Sequence, residues 1–229
     1  MTNFVPARLF TYLLVFSIIS LSSCKKGTDP DLQATYLRFI NTSPTLGTYN
    51  IYVADKMVNT AALPFGGTVS YAQYYPGTQT IKVTTASDMQ SLITKQVVLA
   101  NSGAYSLYLI DKGDKMDALL VTDNMTTSSS TKASIRFINL TPDAPALNLD
   151  LAAGTNLVKD KTYKTESEYA AIDPKTYTFE IKDSATGVVK TTLTDIEIVA
   201  GRYYTIISRG MLNPATNDQP FSGQVIINQ

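Results

Sequence analysis

Thr35-Tyr36-Leu37-Arg38-Phe39-Ile40-Asn41 and Ala133-Ser134-Ile135-Arg136-Phe137-Ile138-Asn139 are two versions of one segment, and their reading decides the fold. Leu37 and Phe39 alternate with Tyr36 and Arg38, and Ile135 and Phe137 alternate with Ser134 and Arg136. A period of two is that of a β-strand with one face in a core. The displacement of 98 residues continues without a gap, placing Pro44 on Pro142, Asn50 on Asn148, Tyr71-Ala72 on Tyr169-Ala170 and Pro76 on Pro174. It further places Thr78 on Thr176, Thr80 on Thr178, Gly103 on Gly201 and Tyr105 on Tyr203. One register held over that span marks an internal repeat.

Further strands are expected at Tyr49 to Val53, Val69 to Tyr75, Gln79 to Thr84, Gln96 to Leu99, Tyr105 to Ile110 and Ala118 to Thr122, with counterparts in the second copy. About seven short strands in a unit of about 100 residues fit an immunoglobulin-like sandwich. Gly103-Ala104-Tyr105 and Gly201-Arg202-Tyr203 stand where a turn leads into a late strand, so Tyr105 and Tyr203 are expected to bond nearby backbone as a tyrosine corner does. The expected fold is all-β: two tandem immunoglobulin-like β-sandwich domains after a lipoprotein signal peptide. Its bounds are 1–23 for the signal, 24–34 for a lipidated tether, 35–125 for the first copy, 126–132 for a Ser/Thr linker and 133–229 for the second copy. A single sandwich of this size can bury its own core, so residues 133–229 are expected to fold alone.

The amino terminus supplies the address. Arg8 precedes an uncharged run from Leu9 to Leu21, which is too short for a membrane-crossing helix and reads as the apolar region of a secretory signal. Leu21-Ser22-Ser23-Cys24 resembles the cleavage box of bacterial lipoproteins, whose cysteine receives the lipid. Cys24 is the one cysteine of the chain, so it builds no internal disulfide and is best explained as the attachment point. Two or more acyl chains anchor a protein stably, at about 0.8 kcal/mol per buried methylene. The resemblance implies outer-membrane sorting, because Lys25 stands where an Asp tends to retain Gram-negative lipoproteins in the inner membrane. The protein would face the periplasm or the cell exterior.

Removal of Arg8 with the signal leaves 18 basic against 19 acidic side chains, which implies no nucleic-acid partner. With no His, His-based triads and His metal sites are unavailable. Carboxylates remain. Glu166 and Glu168 would share one face of a strand at about the spacing of an inverting glycosidase pair, which keeps a glycosidase-like enzyme as the lesser alternative; side by side rather than across a cleft, they read instead as solvated charges and the chain as no enzyme. Asp143, Asn148 and Asp150 offer hard oxygen ligands and form a weak calcium candidate beside the ordinary reading of turn chemistry, and no cofactor is expected. Arg38 and Arg136 recur and could read a shared anion. The favoured expectation is that they pair with a neighbouring acid or pack their stems over the sheet.

Arg136 to Asn139, Thr141-Pro142-Asp143-Ala144-Pro145-Ala146, the strand Asn148-Leu149-Asp150-Leu151, Pro174-Lys175-Thr176-Tyr177 and Val199-Ala200-Gly201-Arg202-Tyr203-Tyr204 together resemble domain of unknown function family 4397. The second copy carries these motifs better than the first, where Thr45-Leu46-Gly47 replaces Asp143-Ala144-Pro145. The resemblance implies an immunoglobulin-like sandwich in bacterial surface and exported proteins. It implies no activity and supplies no catalytic or binding residues.

Two non-catalytic classes follow: a surface binding or adhesion module for a glycan or protein, and a structural accessory of an outer-membrane complex. The repeat serves as its own control, since features present in one copy alone are drift or function. Tyr74 and Tyr75, replacing Ile172 and Asp173, stand out in the first copy, with at most one of the two expected in the core. In the second, the longer loop from Met211 to Ser222, with Asn213 and Asp218, stands out. These four are the candidate ligand contacts.

Overall fold

The computed structural model describes residues 34–125 and 129–228. The signal, Cys24 and residues 126–128 of the linker lie outside the described residues. The first copy is built from β1 (Thr35–Asn41), β2 (Tyr49–Val53), β3 (Lys56–Met57), β4 (Thr68–Tyr74), β5 (Gly77–Thr85), β6 (Ser91–Leu99), β7 (Ala104–Ile110) and β8 (Asp117–Thr122). The second repeats it with β9 (Ala133–Asn139), β10 (Leu147–Leu151), β11 (Asn156–Lys161), β12 (Ala170–Ile172), β13 (Thr176–Asp183), β14 (Val189–Glu197), β15 (Tyr203–Arg209) and β16 (Ser222–Ile227). The sheet orders correspond strand for strand: β4-β1-β7-β8 and β3-β2-β5-β6 in the first, β12-β9-β15-β16 and β11-β10-β13-β14 in the second.

Each copy is therefore an eight-stranded sandwich. The two-sheet architecture is immunoglobulin-like, while the strand order is its own: β1 and β2 lie in different sheets, and β1 pairs in parallel with β7 as β9 does with β15. Alternate residues of the two sheets fill a core in each copy, Leu37, Phe39, Ile51, Val83 and Leu107 in the first, Ile135, Phe137, Leu149, Ile181 and Ile206 in the second.

The other face of β1 is not solvent-facing as the alternation implied. From Leu37 onward β1 is buried on both faces, as is β9 from Ile135. Ile40, Tyr108, Ile110 and Val121 of the first copy form a third apolar cluster with Ile138, Leu140, Ile207 and Ile226 of the second. The outward faces of the two corresponding sheets meet there, in a seam that excludes water as a core does. A strand covered on both sides reads as a continuous apolar run. Leu107-Tyr108-Leu109-Ile110 is such a run, and so is Ile206-Ile207 after the two tyrosines.

The register of 98 holds through β13 and then breaks. Gln79 pairs with Val97 in the first copy, but its counterpart Tyr177 pairs with Ile196, one residue beyond the shift. The extra residue sits in a bulge of β14 between Leu193 and Ile196, where Asp195 takes a φ of 56°. Everything downstream moves by one. Tyr105 therefore corresponds to Tyr204 rather than Tyr203: Leu37 faces Tyr105 as Ile135 faces Tyr204. Tyr105 Oη accepts the Ala100 N–H at 2.9 Å, and Tyr204 Oη accepts the Val199 N–H at 2.9 Å. The corner in the second copy belongs to Tyr204, while Tyr203 packs edge-on against Tyr169 with ring centres 5.1 Å apart.

Candidate functional site at the seam between the two copies

The repeated Arg-Phe-Ile-Asn segment divides its labour by strand alternation. Phe39 and Phe137 enter their own cores, whereas Ile40 and Ile138 enter the seam. Asn41 and Asn139 turn the chain, their Oδ1 atoms accepting the N–H of Ser43 and Thr141 at 3.1 Å each. The arginines lie in the seam, each 2% exposed.

Their surroundings are reciprocal. Arg38 Nε donates to Ser106 Oγ at 2.7 Å and Arg136 Nε to Thr205 Oγ1 at 2.9 Å. The guanidinium carbons lie 4.7 Å from the Tyr71 ring centre and 4.8 Å from that of Tyr169. Arg38 Nη1 donates to the Ile227 carbonyl at 3.0 Å and Arg136 Nη1 to the Thr122 carbonyl at 2.9 Å. Each arginine thus grips the last strand of the other copy.

The two halves differ one residue further on. Asp123 and Asn228 hold the same place, their N–H groups donating to Ala104 and Tyr203 carbonyls at 2.8 Å. The Asp123 carboxylate accepts from Tyr71 Oη at 2.5 Å, Ser106 Oγ at 2.6 Å, Asn228 Nδ2 at 3.3 Å and Arg136 Nη2. Asn228 Oδ1 accepts from Thr205 Oγ1 at 2.9 Å. Arg38 Nη2 has no acceptor in the described chain. The seam thus buries two guanidiniums but one carboxylate, which Arg136 holds and Arg38 does not touch. Burial, reinforced by the Asp123 charge, raises the Tyr71 phenol well above its ordinary value. Burial pushes Tyr169 up to about 12 against the opposing charge of Arg136. For Arg136 itself burial acts downward, but neighbouring groups including Asp123 leave it raised.

Two cavities adjoin this cluster and share Tyr71 as a wall. One, of about 280 Å³, is lined by Arg38, Thr68, Ser70, Tyr71 and the strand from Gln224 to Ile227. The other, of about 320 Å³, is lined by Tyr36, Tyr71, Ala104, Met125 and Asn228.

The four candidate ligand contacts do not converge. Tyr74 packs against the first core, and Tyr75 is 80% exposed just past the end of β4. Tyr74 pairs with Thr35 at the start of β1, whereas the loop carrying Asn213 and Asp218 lies against Pro44 and Thr45, beyond its end. Seven strand residues, about 20 Å, separate the two places. Asp218 pairs with Lys112, and Asn213 binds Asp143 through its N–H at 2.8 Å. The long loop clasps the second copy onto the first.

The calcium candidates are likewise dispersed. Asp143 accepts the N–H groups of Leu212 and Asn213, Asn148 accepts the Asp160 N–H at 2.9 Å, and Asp150 pairs with Lys182 at 3.1 Å. Among the described residues no cluster of three acidic, cysteine or histidine side chains could hold a metal. Glu166 and Glu168 are exposed on the segment before β12. Arg136 meets the expectation of a neighbouring acid, and Arg38 does not. Sequence reasoning missed Asp123, because the shift of 98 sets it opposite Phe221 instead of Asn228.

The family model for a domain of unknown function, DUF4397, matches residues 35–150. The chain belongs to the DUF4397 family. In this DUF4397 protein the match takes in the whole first copy and the opening strands β9 and β10 of the second, rather than the second copy that the motifs favoured. A comparison with curated proteins finds no match. Among solved structures, the chain is similar at 9% identity to a family 26 carbohydrate-binding module of Eubacterium rectale in complex with maltoheptaose, with 85% of this chain and 96% of that one covered and a TM-score of 0.26. A candidate cell adhesion protein of Parabacteroides distasonis matches at 11% identity, covering 86% and 98% with a TM-score of 0.22. Another from Bacteroides fragilis matches at 9% identity, covering 87% and 98% with a TM-score of 0.22.

Proposed function

We propose that this DUF4397 protein is a non-catalytic surface module, held on the bacterial outer membrane by lipid on Cys24, that binds a glycan or protein through the aromatic rim of its first copy. The second copy is, in this reading, a further member of the same family. The observation that carries the binding reading is the cavity of about 320 Å³ walled by Tyr36, Tyr71 and Met125, with the Asn228 amide at its edge. Apolar walls with a few polar tips are what small-molecule and sugar sites are made of. Tyr36 is 47% exposed and points from β1 to the same side as Arg38, so its ring is presented without any refolding. Tyr75, 80% exposed one residue beyond β4, is a second ring presented to solvent. The seam behind the cavity is buried and hydrogen-bonded, and a site whose walls are already placed has less ordering cost to bear on binding.

A glycan array probed with the purified chain tests this, followed by Tyr36→Ala and Tyr75→Ala on whichever sugar is retained. Loss of binding in Tyr36→Ala with an unchanged unfolding midpoint supports the assignment; full binding by both variants sinks it. Cys24→Ala tests the anchor. The variant is expected to leave the detergent phase and lose an acyl label, and unchanged partitioning removes the membrane from the proposal.

A further inference from the structure

The reciprocal seam leaves one element over. Arg136 Nη2 meets Asp123, but Arg38 Nη2 has no acceptor, and the place equivalent to Asp123 in the second copy is held by Asn228. A buried guanidinium whose Nη2 lacks any acceptor is a costly arrangement. The imbalance is one of charge as well as hydrogen bonding, since Arg38, Arg136 and Asp123 are 2%, 2% and 3% exposed and sum to one unit of positive charge. The same cavity wall carries a second orphan. Gln224 donates through Nε2 to the Gly66 carbonyl at 3.0 Å, and its Oε1 has no donor. Arg38 and Gln224 both line the cavity of about 280 Å³, together with Thr68 and Ser70, two exposed hydroxyl residues of β4.

We propose that this cavity is a binding site for a carboxylate with a hydroxyl beside it, the group carried by sugar acids and α-hydroxy acids. The carboxylate neutralises the Arg38 guanidinium as Asp123 neutralises that of Arg136, and charge-assisted bonds of this type are about twice as strong as neutral ones. The adjacent hydroxyl donates to Gln224 Oε1, and the hydroxyls of Thr68 and Ser70 supply further donors at the mouth. At about 280 Å³ the cavity sits at the lower end of the range for ligand sites, suited to one small group or the terminal unit of a chain. The site shares the Tyr71 wall with the Tyr36 cleft but stands on Arg38 and Gln224, and Tyr36 does not line it.

The test is calorimetric or NMR titration of the full chain in detergent with sodium glucuronate, lactate, glucose and inorganic phosphate, each against sodium chloride at matched ionic strength. Glucuronate and lactate are expected to bind and glucose not to. Arg38→Gln is expected to weaken glucuronate about tenfold or more. Ser70→Phe, which plugs the mouth from an exposed position, abolishes binding without touching the buried cluster and decides the matter if Arg38→Gln does not fold. Tyr36→Ala leaves glucuronate affinity unchanged, so a failure of the cleft and a failure of this site are told apart. Binding no stronger than chloride, binding that survives both Arg38→Gln and Ser70→Phe, or phosphate binding as tightly as glucuronate would overturn the proposal.

Discussion

Asp123, one residue past the last strand of the first copy, closes the guanidinium of Arg136 from the second, with both side chains buried. Asp123 also holds the phenol of Tyr71 and the hydroxyl of Ser106, so one carboxylate satisfies donors from β4, β7 and β9.

Its removal is the sharpest probe of the seam. Asp123→Asn keeps the shape, deletes the charge and strands the Arg136 guanidinium in a buried interface that already holds Arg38 without an acid. Breaking one partner of a buried ion pair typically costs about 3–5 kcal/mol. Denaturant unfolding is expected to show a loss of that order, and a loss under about 1 kcal/mol would mean that water reaches the pair.

Alkali is expected to unfold the protein through its buried tyrosines. The Tyr169 phenol ionises near 10 in the unfolded chain and at about 12 in the folded one. A group raised in the folded state contributes stability in full below its unfolded value and loses it as pH climbs toward the folded one. Tyr71 is raised in the same direction by burial, then by Asp123. Stability should hold up to about pH 10 and fall from there to about 12. Urea midpoints across that window check it, and Tyr169→Phe should flatten the slope.

Gly210 is required where β15 ends. Its φ is 81°, and a Cβ there would lie 2.1 Å from the Pro220 carbonyl oxygen, a backbone atom that cannot step aside. Gly210→Ala is expected to cost about 1–3 kcal/mol. It should also loosen the clasp, read as faster amide exchange at Gln219, whose N–H donates to Pro44 at 3.1 Å.

Residues 133–229 alone keep their own two-sheet core but expose Ile138, Leu140, Ile207 and Ile226. Each fully buried side chain of this kind contributes about 1.5–3 kcal/mol. The fragment is expected to fold with a lower midpoint than the whole chain and to self-associate. The whole chain should unfold in one transition. Two transitions, with the upper matching the fragment, would show that the seam adds nothing.

The strands and their inward residues were legible because a period of two leaves its trace in the sequence itself. Leu37, Phe39, Ile135 and Phe137 all lie where alternation put them. The second burial of β1 and β9 was not legible from that segment, because Arg38 and Arg136 look like solvent-facing residues until an acid and a carbonyl from the other copy are placed against them. A gapless shift could not see the bulge at Asp195, which costs one residue and moves the corner from Tyr203 to Tyr204. The loop after β15 then displaces Asn228 further, hiding its equivalence to Asp123. Of the residues chosen for being unlike their counterparts, Tyr75 is presented to solvent, while Asn213 and Asp218 are occupied in holding the two copies together.

The reciprocal grip of Arg38 on Ile227 and of Arg136 on Thr122 has the form of an isologous interface, in which one patch meets another copy of itself. Between two identical chains such a patch is bound by symmetry, so that every substitution appears on both sides at once. Replacing the acid would then strand both arginines together. Covalent tandem linkage lifts that constraint and raises the effective concentration of one half for the other, so association survives a weakened contact. One half can keep its aspartate and hold the pair shut while the other carries asparagine, which leaves the Arg38 guanidinium without a carboxylate of its own.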